Sequence, residues 1–265
     1  MLNFASKGCI IKEKRIFKDK RRTKLMKLIV CENYAEMSAV AARMVAGQVI
    51  AKPDCVLGLA TGSTPVGTYK ELIRLYENGL VDFKDVVSYN LDEYYPISPE
   101  NDQSYRYFMN HNLFDHINID KNNTHVPSGE MADPEEECKK YDEAVENAGG
   151  IDLQILGIGQ NGHIGFNEPD DFLYAETHVT DLTENTIAVN SRFFASIDEV
   201  PKKAITMGLG NILKAKKILL LINGKAKHDI LHTLLEGNIT TKVPASFLKA
   251  HPDVVIICDK EAYGE

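Results

Sequence analysis

The chain has no apolar run approaching the ~20 residues that a membrane span requires, so a membrane role is set aside. It also has no internal repeat and no low-complexity linker, which argues for one folded body across its 265 residues. Five cysteines, Cys9, Cys31, Cys55, Cys138 and Cys258, form an odd, scattered set with no Cys-x-x-Cys pair. Neither a disulfide framework nor a zinc site is indicated, and a reducing cytoplasm fits. A Walker loop is missing too, since no GxxxxGK precedes a Ser or Thr.

Charge is present but uneven. Residues 1–25 hold nine of the 30 Lys and Arg and two of the 38 Asp and Glu, leaving 21 basic and 36 acidic residues beyond them. The body is therefore near −15, which disfavours nucleic acid and repels small anions at long range. Any phosphorylated ligand then needs a local basic pocket. Residues 1–25 read as a basic N-terminal extension without fixed structure, too short for a helix-turn-helix module, and Met26 is a candidate natural start. The body is expected to run from 26 to 265.

The most informative stretch is Leu156-Gly-Ile-Gly-Gln-Asn-Gly-His-Ile-Gly-Phe-Asn-Glu-Pro169, directly behind the apolar run Ile151–Leu156. Glycines that dense let a loop bring backbone close to a ligand. The groups it would present are His163 and Glu168. Gly157, Gly159 and Gly162 also spell GxGxxG, with Asp181 downstream, but a dinucleotide fingerprint must open a helix. Gly165 and Pro169 interrupt any helical period here, so that reading is rejected.

Apolar runs at 26–30, 55–59, 86–90, 151–156, 204–207, 217–222 and 254–258 alternate with helical patterns such as 34–51. That alternation predicts a doubly wound, mainly parallel α/β sheet, Rossmann-like, with helices on both faces. The run at 55–59 ends in Ala60-Thr-Gly-Ser-Thr-Pro65, where Thr64 is expected as N-cap and Pro65 as first helical residue. Thr61, Gly62, Ser63 and Thr64 offer backbone N–H groups, hydroxyls and a helix N-terminus, all suited to phosphate. Asp92 and Glu93 follow the strand at 86–90, where open α/β sheets place ligands. Extended residues alternate sides, so one of the two should face the site. Residues 170–200 read as a mobile segment over the site, bringing Arg192 down on an anion. Lys225 and Lys227 sit at a helix start, where the macrodipole disfavours cations unless an anion joins them.

Together LGLATGSTP (57–65), NLDEY (90–94), LGIGQNGHIGFNEP (156–169), NSRFF (190–194), VPKKAIT (200–206) and NGKAK (223–227) resemble the glucosamine-6-phosphate deaminase family over about residues 26–262. The resemblance implies conversion of glucosamine 6-phosphate and water to fructose 6-phosphate and ammonia, with no metal and no redox or organic cofactor. It implies Asp92 as the proton-transfer base, His163 as the ring-opening acid/base and Glu168 as the carboxylate orienting that imidazole. Asn161 stands where one branch of the family has aspartate; an amide orients the ring but takes no proton. Phosphate is implied on Thr61, Gly62, Ser63 and Thr64 with Arg192 and Lys227, and Lys225 is the weaker contact.

The family's branch activated by N-acetylglucosamine 6-phosphate carries Ser, Arg and Lys where this chain has Asp171, His178 and Thr180, so no such activation is expected. Hexamers belong chiefly to that branch, which leaves monomer and homo-oligomer both open. The rivals are a 6-phosphogluconolactonase-like hydrolase, which needs no base at C2, a non-catalytic sugar-phosphate sensor, and a metal hydrolase built on His163, Glu168 and Asp92.

Overall fold

A computed structural model describes residues 10–15, 25–183, 187 and 200–265. Its centre is an eight-stranded sheet in the order β1-β2-β11-β10-β7-β3-β4-β6. The strands are β1 (Ile10–Arg15), β2 (Leu25–Cys31), β3 (Val56–Leu59), β4 (Val87–Asn90), β6 (Thr124–His125), β7 (Leu153–Leu156), β10 (Ile218–Ile222) and β11 (Val254–Asp259). From β2 to β6 all seven are parallel. Every residue of β3, β7, β10 and β11 is buried. This is the signature of strands covered on both faces, and it explains why they read as unbroken apolar runs.

The covering helices include α1 (Tyr34–Ala51), α2 (Ser63–Glu77), α3 (Tyr105–Asn112) and α4 (Pro134–Asn147). Asn33 caps α1 by accepting from Glu36 N, and Asp133 caps α4 by accepting from Glu135 N and Glu136 N, with Pro134 at the first turn. The doubly wound reading therefore holds. The chain lays down β3, β4 and β6 in one direction, then returns to put β7 on the other side of β3 and continues to β10 and β11. The loops after β3 and β7 leave the sheet at this reversal, the place where such sheets bind ligands.

Three expectations need correction. Ile10–Arg15, read as part of an unstructured extension, forms β1, antiparallel to β2 with Ile10 opposite Val30 and Arg15 opposite Leu25. Without it β2 would be an open edge of unpaired backbone groups. Second, the segment 170–200, read as a mobile cover, holds a strand of its own, β8 (His178–Asp181); Arg192 falls outside the described residues. Third, a second sheet exists, of order β5-β9-β8, formed by β5 (Asp92–Tyr95), β9 (Lys203–Thr206) and β8, all antiparallel. Asp92 and His178 both pair with Thr206. This small sheet rises off the end of β4 and carries Asp92.

Candidate active site

The loop after β7 is built around its histidine. Gly159 N donates to His163 O at 2.9 Å and Gly162 N to Gly159 O at 3.0 Å, folding the loop back on itself. A Cβ at Gly159 would stand 2.3 Å from the His163 ring, so only glycine leaves room for the imidazole. Gly165, at φ +59°, brings the chain against Asp92: a Cβ there would lie 3.4 Å from Asp92 Oδ2 and 2.8 Å from Thr206 Oγ1. Phe166 N donates to Thr206 Oγ1 at 3.1 Å, and Phe166 lies among Tyr94 and Tyr105 in a separate apolar cluster. Asn167 Nδ2 donates to Ile164 O and Met207 O. The loop is thereby fixed to the small sheet.

Three predicted residues meet directly. His163 Nδ1 lies 3.1 Å from Glu168 Oε1, a contact that is an ion pair when the imidazole is protonated. Nδ1 is buried and its angle to the carboxylate falls outside regular hydrogen-bond geometry, a looseness usual for catalytic contacts before substrate arrives. Asn161 Nδ2 donates to Glu168 Oε2 at 2.6 Å, and Asn161 Oδ1 accepts from His163 N at 3.2 Å. Burial pushes the Glu168 carboxyl up, but His163 and the Asn161 amide outweigh it and hold the group below its ordinary value. An ionised Glu168 assigns the proton to Nδ1 and leaves Nε2 for a substrate.

Asp92 is 6% exposed. Burial, and secondarily the charge of Glu93, push its carboxyl up to about 8. Glu93 faces away: Oε1 accepts from Tyr94 N and Tyr105 N at 2.8 Å, and Oε2 from Arg106 N at 2.9 Å. The ambiguity between the two carboxylates is thus resolved by α3, whose first N–H groups occupy Glu93.

The loop after β3 differs from expectation in detail. The helix α2 begins at Ser63 with Gly62 (φ +102°) as N-cap and no side-chain cap. Thr64 does not cap; its hydroxyl donates to Asn223 Oδ1 at 2.7 Å, tying this loop to the turn after β10. The N–H groups of a helix start are left without a side-chain acceptor, as an anion site requires. Tyr34, which no sequence signal marked, supports the loop by donating to Ser63 O and Thr64 O and accepting from Gly67 N. Lys227 closes a 3-10 turn (Lys225–Lys227) behind Asn223, half-buried and with no ion-pair partner among the described residues. Burial holds its ammonium below the ordinary lysine value. Lys225 is exposed.

A cavity of about 610 Å³, lined by Ile50, Leu80 and Asp82, lies by the C-terminal ends of α1 and α2 and contains none of these groups. Among the described residues no three His, Cys, Asp or Glu side chains form a metal-binding group, and no helix is long and apolar enough to cross a membrane.

Residues 32–256 match the model of the glucosamine-6-phosphate isomerases/6-phosphogluconolactonase family. The chain belongs to that family. It is 60% identical over 237 residues to a glucosamine-6-phosphate deaminase of Thermoanaerobacter pseudethanolicus, covering 89% of this chain and 94% of the relative. A deaminase of Clostridium perfringens is 58% identical over the same share of this chain and 98% of its own. Among solved structures, a monomeric glucosamine-6-phosphate deaminase superposes with a TM-score of 0.88 at 48% identity, over 90% of this chain and 99% of that one. A 6-phosphogluconolactonase of Thermotoga maritima matches at a TM-score of 0.71 and 22% identity, over 88% of this chain and 99% of its own, a likeness of fold.

Proposed function

We propose that this chain is a glucosamine-6-phosphate deaminase, converting glucosamine 6-phosphate and water to fructose 6-phosphate and ammonia. The observation that carries the reading is a buried carboxylate, Asp92, against which Gly165 packs in the same loop that carries the His163–Glu168 pair. A lactonase needs the histidine but has no use for a second base at C2. High identity to deaminases supports the same choice.

In this reading the sugar phosphate is anchored by Thr61, Gly62, Ser63 and Thr64 at the start of α2, with Lys227 and Arg192 supplying positive charge. His163 Nε2 exchanges the protons that open the ring, and Glu168 stabilises the imidazolium that forms in passing. The open chain carries an aldehyde at C1, which acidifies the proton on C2. Asp92 takes that proton while the aldehyde oxygen gains one, balanced by the proton the ammonium gives up, forming an enolamine; its return to C1 leaves an iminium at C2. Water adds to C2 and ammonia departs. The ammonium of the substrate, arriving beside Asp92, favours its ionised form and so prepares the base. Asn161 orients His163 and Glu168 without carrying a proton. The body at 26–265 acts in a reducing cytoplasm on a small sugar phosphate, with no nucleic-acid partner.

Activation by N-acetylglucosamine 6-phosphate is not expected. Asp171 is engaged by Lys242 at 2.6 Å, His178 stacks on Tyr174 and is held below its ordinary pKa by burial, and Thr180 brings no charge. The deciding experiment supplies metal-free protein with glucosamine 6-phosphate and measures fructose 6-phosphate and ammonia together. Equimolar release is expected; silence here with hydrolysis of 6-phosphogluconolactone would overturn the reading.

A further inference from the structure

Glu93 is a buried carboxylate that the mechanism above does not use. It is 1% exposed, and among the described residues its oxygens accept from three backbone N–H groups, those of Tyr94, Tyr105 and Arg106. Two of these donors open α3, so Glu93 completes the cap that Ser104 begins by accepting from Tyr107 N at 2.9 Å. Its carboxylate forms no salt bridge among the described residues. The guanidinium of Arg106 is turned to β6, where it donates to Thr124 Oγ1 and Thr124 O, both at 2.8 Å. A second buried charge therefore stands one residue along β5 from Asp92, on the opposite face of the same strand, with protein rather than water between them.

We propose that Glu93 is a positioning residue for the deamination: pinned to the start of α3, it holds a second buried carboxylate behind Asp92 and so governs the pH at which Asp92 becomes a base. This rests on the assignment of Asp92 above. The other groups facing the pair are tyrosines and one arginine, Arg106, whose positive charge acts on Glu93. They are Tyr69 from α2, Tyr105 and Arg106 from α3, Tyr141 from α4 and Tyr94 from β5. Tyr69 is occupied with Ala60, donating to its O and accepting from its N, and Tyr141 donates to Asn90 O. Burial pushes Glu93 itself up to about 7, against the pull of its three N–H donors, so its charge is present across the upper part of the working range.

The test is the pH profile of kcat/KM in Glu93→Gln, Glu93→Asp and wild type. A base works ionised, so activity rises with pH through the Asp92 titration. Removing the charge behind it lets Asp92 lose its proton sooner. The acid limb of Glu93→Gln should move down by about one pH unit, the coupling expected of a strongly interacting pair, while Glu93→Asp keeps its limb in place. Titrations of the substrate are common to all three proteins and cancel in the difference. A uniform loss at every pH with an unmoved limb would reduce Glu93 to a structural strut and overturn the proposal. Should Glu93→Gln fail to fold, carboxyl-carbon NMR of the wild type decides. Mutually perturbed titrations of Asp92 and Glu93 support the proposal, and two independent single steps overturn it. Asp92→Asn is assayed alongside. If it kept wild-type turnover, the base assignment itself would fall; if it is inactive while the Glu93→Gln limb stays put, only the role of Glu93 falls.

Discussion

The two halves of the candidate site are built in opposite ways. Around Asn161, His163, Glu168 and Asp92, most polar groups already have a partner within the protein, and glycines at 159 and 165 let those partners approach. Around the start of α2 and Lys227, donors are left open although the Thr64 hydroxyl is spent on Asn223: the helix has no side-chain cap and Lys227 has no ion-pair partner among the described residues. Groups that move protons gain from being fixed before the reaction, since reorientation during it would raise the barrier. Groups that hold a phosphate gain from being unsatisfied until it arrives, since every donor spent internally must first be withdrawn.

Mutations in the first half should therefore cost turnover and leave binding nearly intact. The largest effect is expected from Asp92→Asn, a loss of about 10²–10⁴-fold in kcat with KM nearly unchanged. The same variant should stabilise the fold in a pH-dependent manner. The Asp92 carboxyl sits at about 8 in the folded protein against an ordinary 3.8, so between those values the folded state holds a proton that the unfolded chain has lost. Stability then falls as pH rises through that window, at about 1.4 kcal/mol per unit of displacement. Melting temperatures of Asp92→Asn and wild type should converge near pH 4 and diverge up to pH 8 in favour of the variant. A constant gap would show that Asp92 is not buried with a raised pKa. Next comes Gly159→Ala. Its methyl must displace the imidazole, and a shift of that size costs about 10²-fold in kcat. Unchanged kinetics would mean that the His163 ring has freedom to move.

How far this contrast could be read beforehand depends on where each residue's partner lies along the chain. β7, β10 and β11 are legible because burial on both faces forces continuous apolar runs. β5, β8 and β9 have the sequences DEYY, HVTD and KAIT. The run at 204–207 marks β9 as a strand, but its place in a second sheet, and the existence of β5 and β8, depend on antiparallel neighbours far away in sequence, which local pattern does not carry. His163, Glu168 and Asn161 could be picked out because one short glycine-rich loop holds them all. Thr64 misled for the opposite reason. A threonine before proline is a good local cap, but its hydroxyl is taken by Asn223, which β10 delivers from 159 residues away. Asp92 and Glu93 could be told apart only once α3 was seen to occupy Glu93.

The second half should show the reverse kinetic pattern, with smaller effects. Lys227→Ala removes an ion-pair donor worth about 1.5–3 kcal/mol, so KM should rise tenfold or more with kcat nearly unchanged. Inorganic phosphate, tested as a competitive inhibitor, should weaken in parallel; an unchanged inhibition constant would remove Lys227 from the anchor. The smallest effect, and the sharpest test of separability, is Thr64→Val. It deletes one neutral hydrogen bond of 2.7 Å, that to Asn223, worth about 1 kcal/mol or roughly fivefold in KM. The bond joins the loop after β3 to the turn that carries Lys227 and touches none of the proton-transfer groups. If Thr64→Val lowered kcat while sparing KM, the phosphate loop would be helping to align the reacting carbons. The two halves would then have to be treated as a single unit, with binding energy at the phosphate spent on the chemistry at C2.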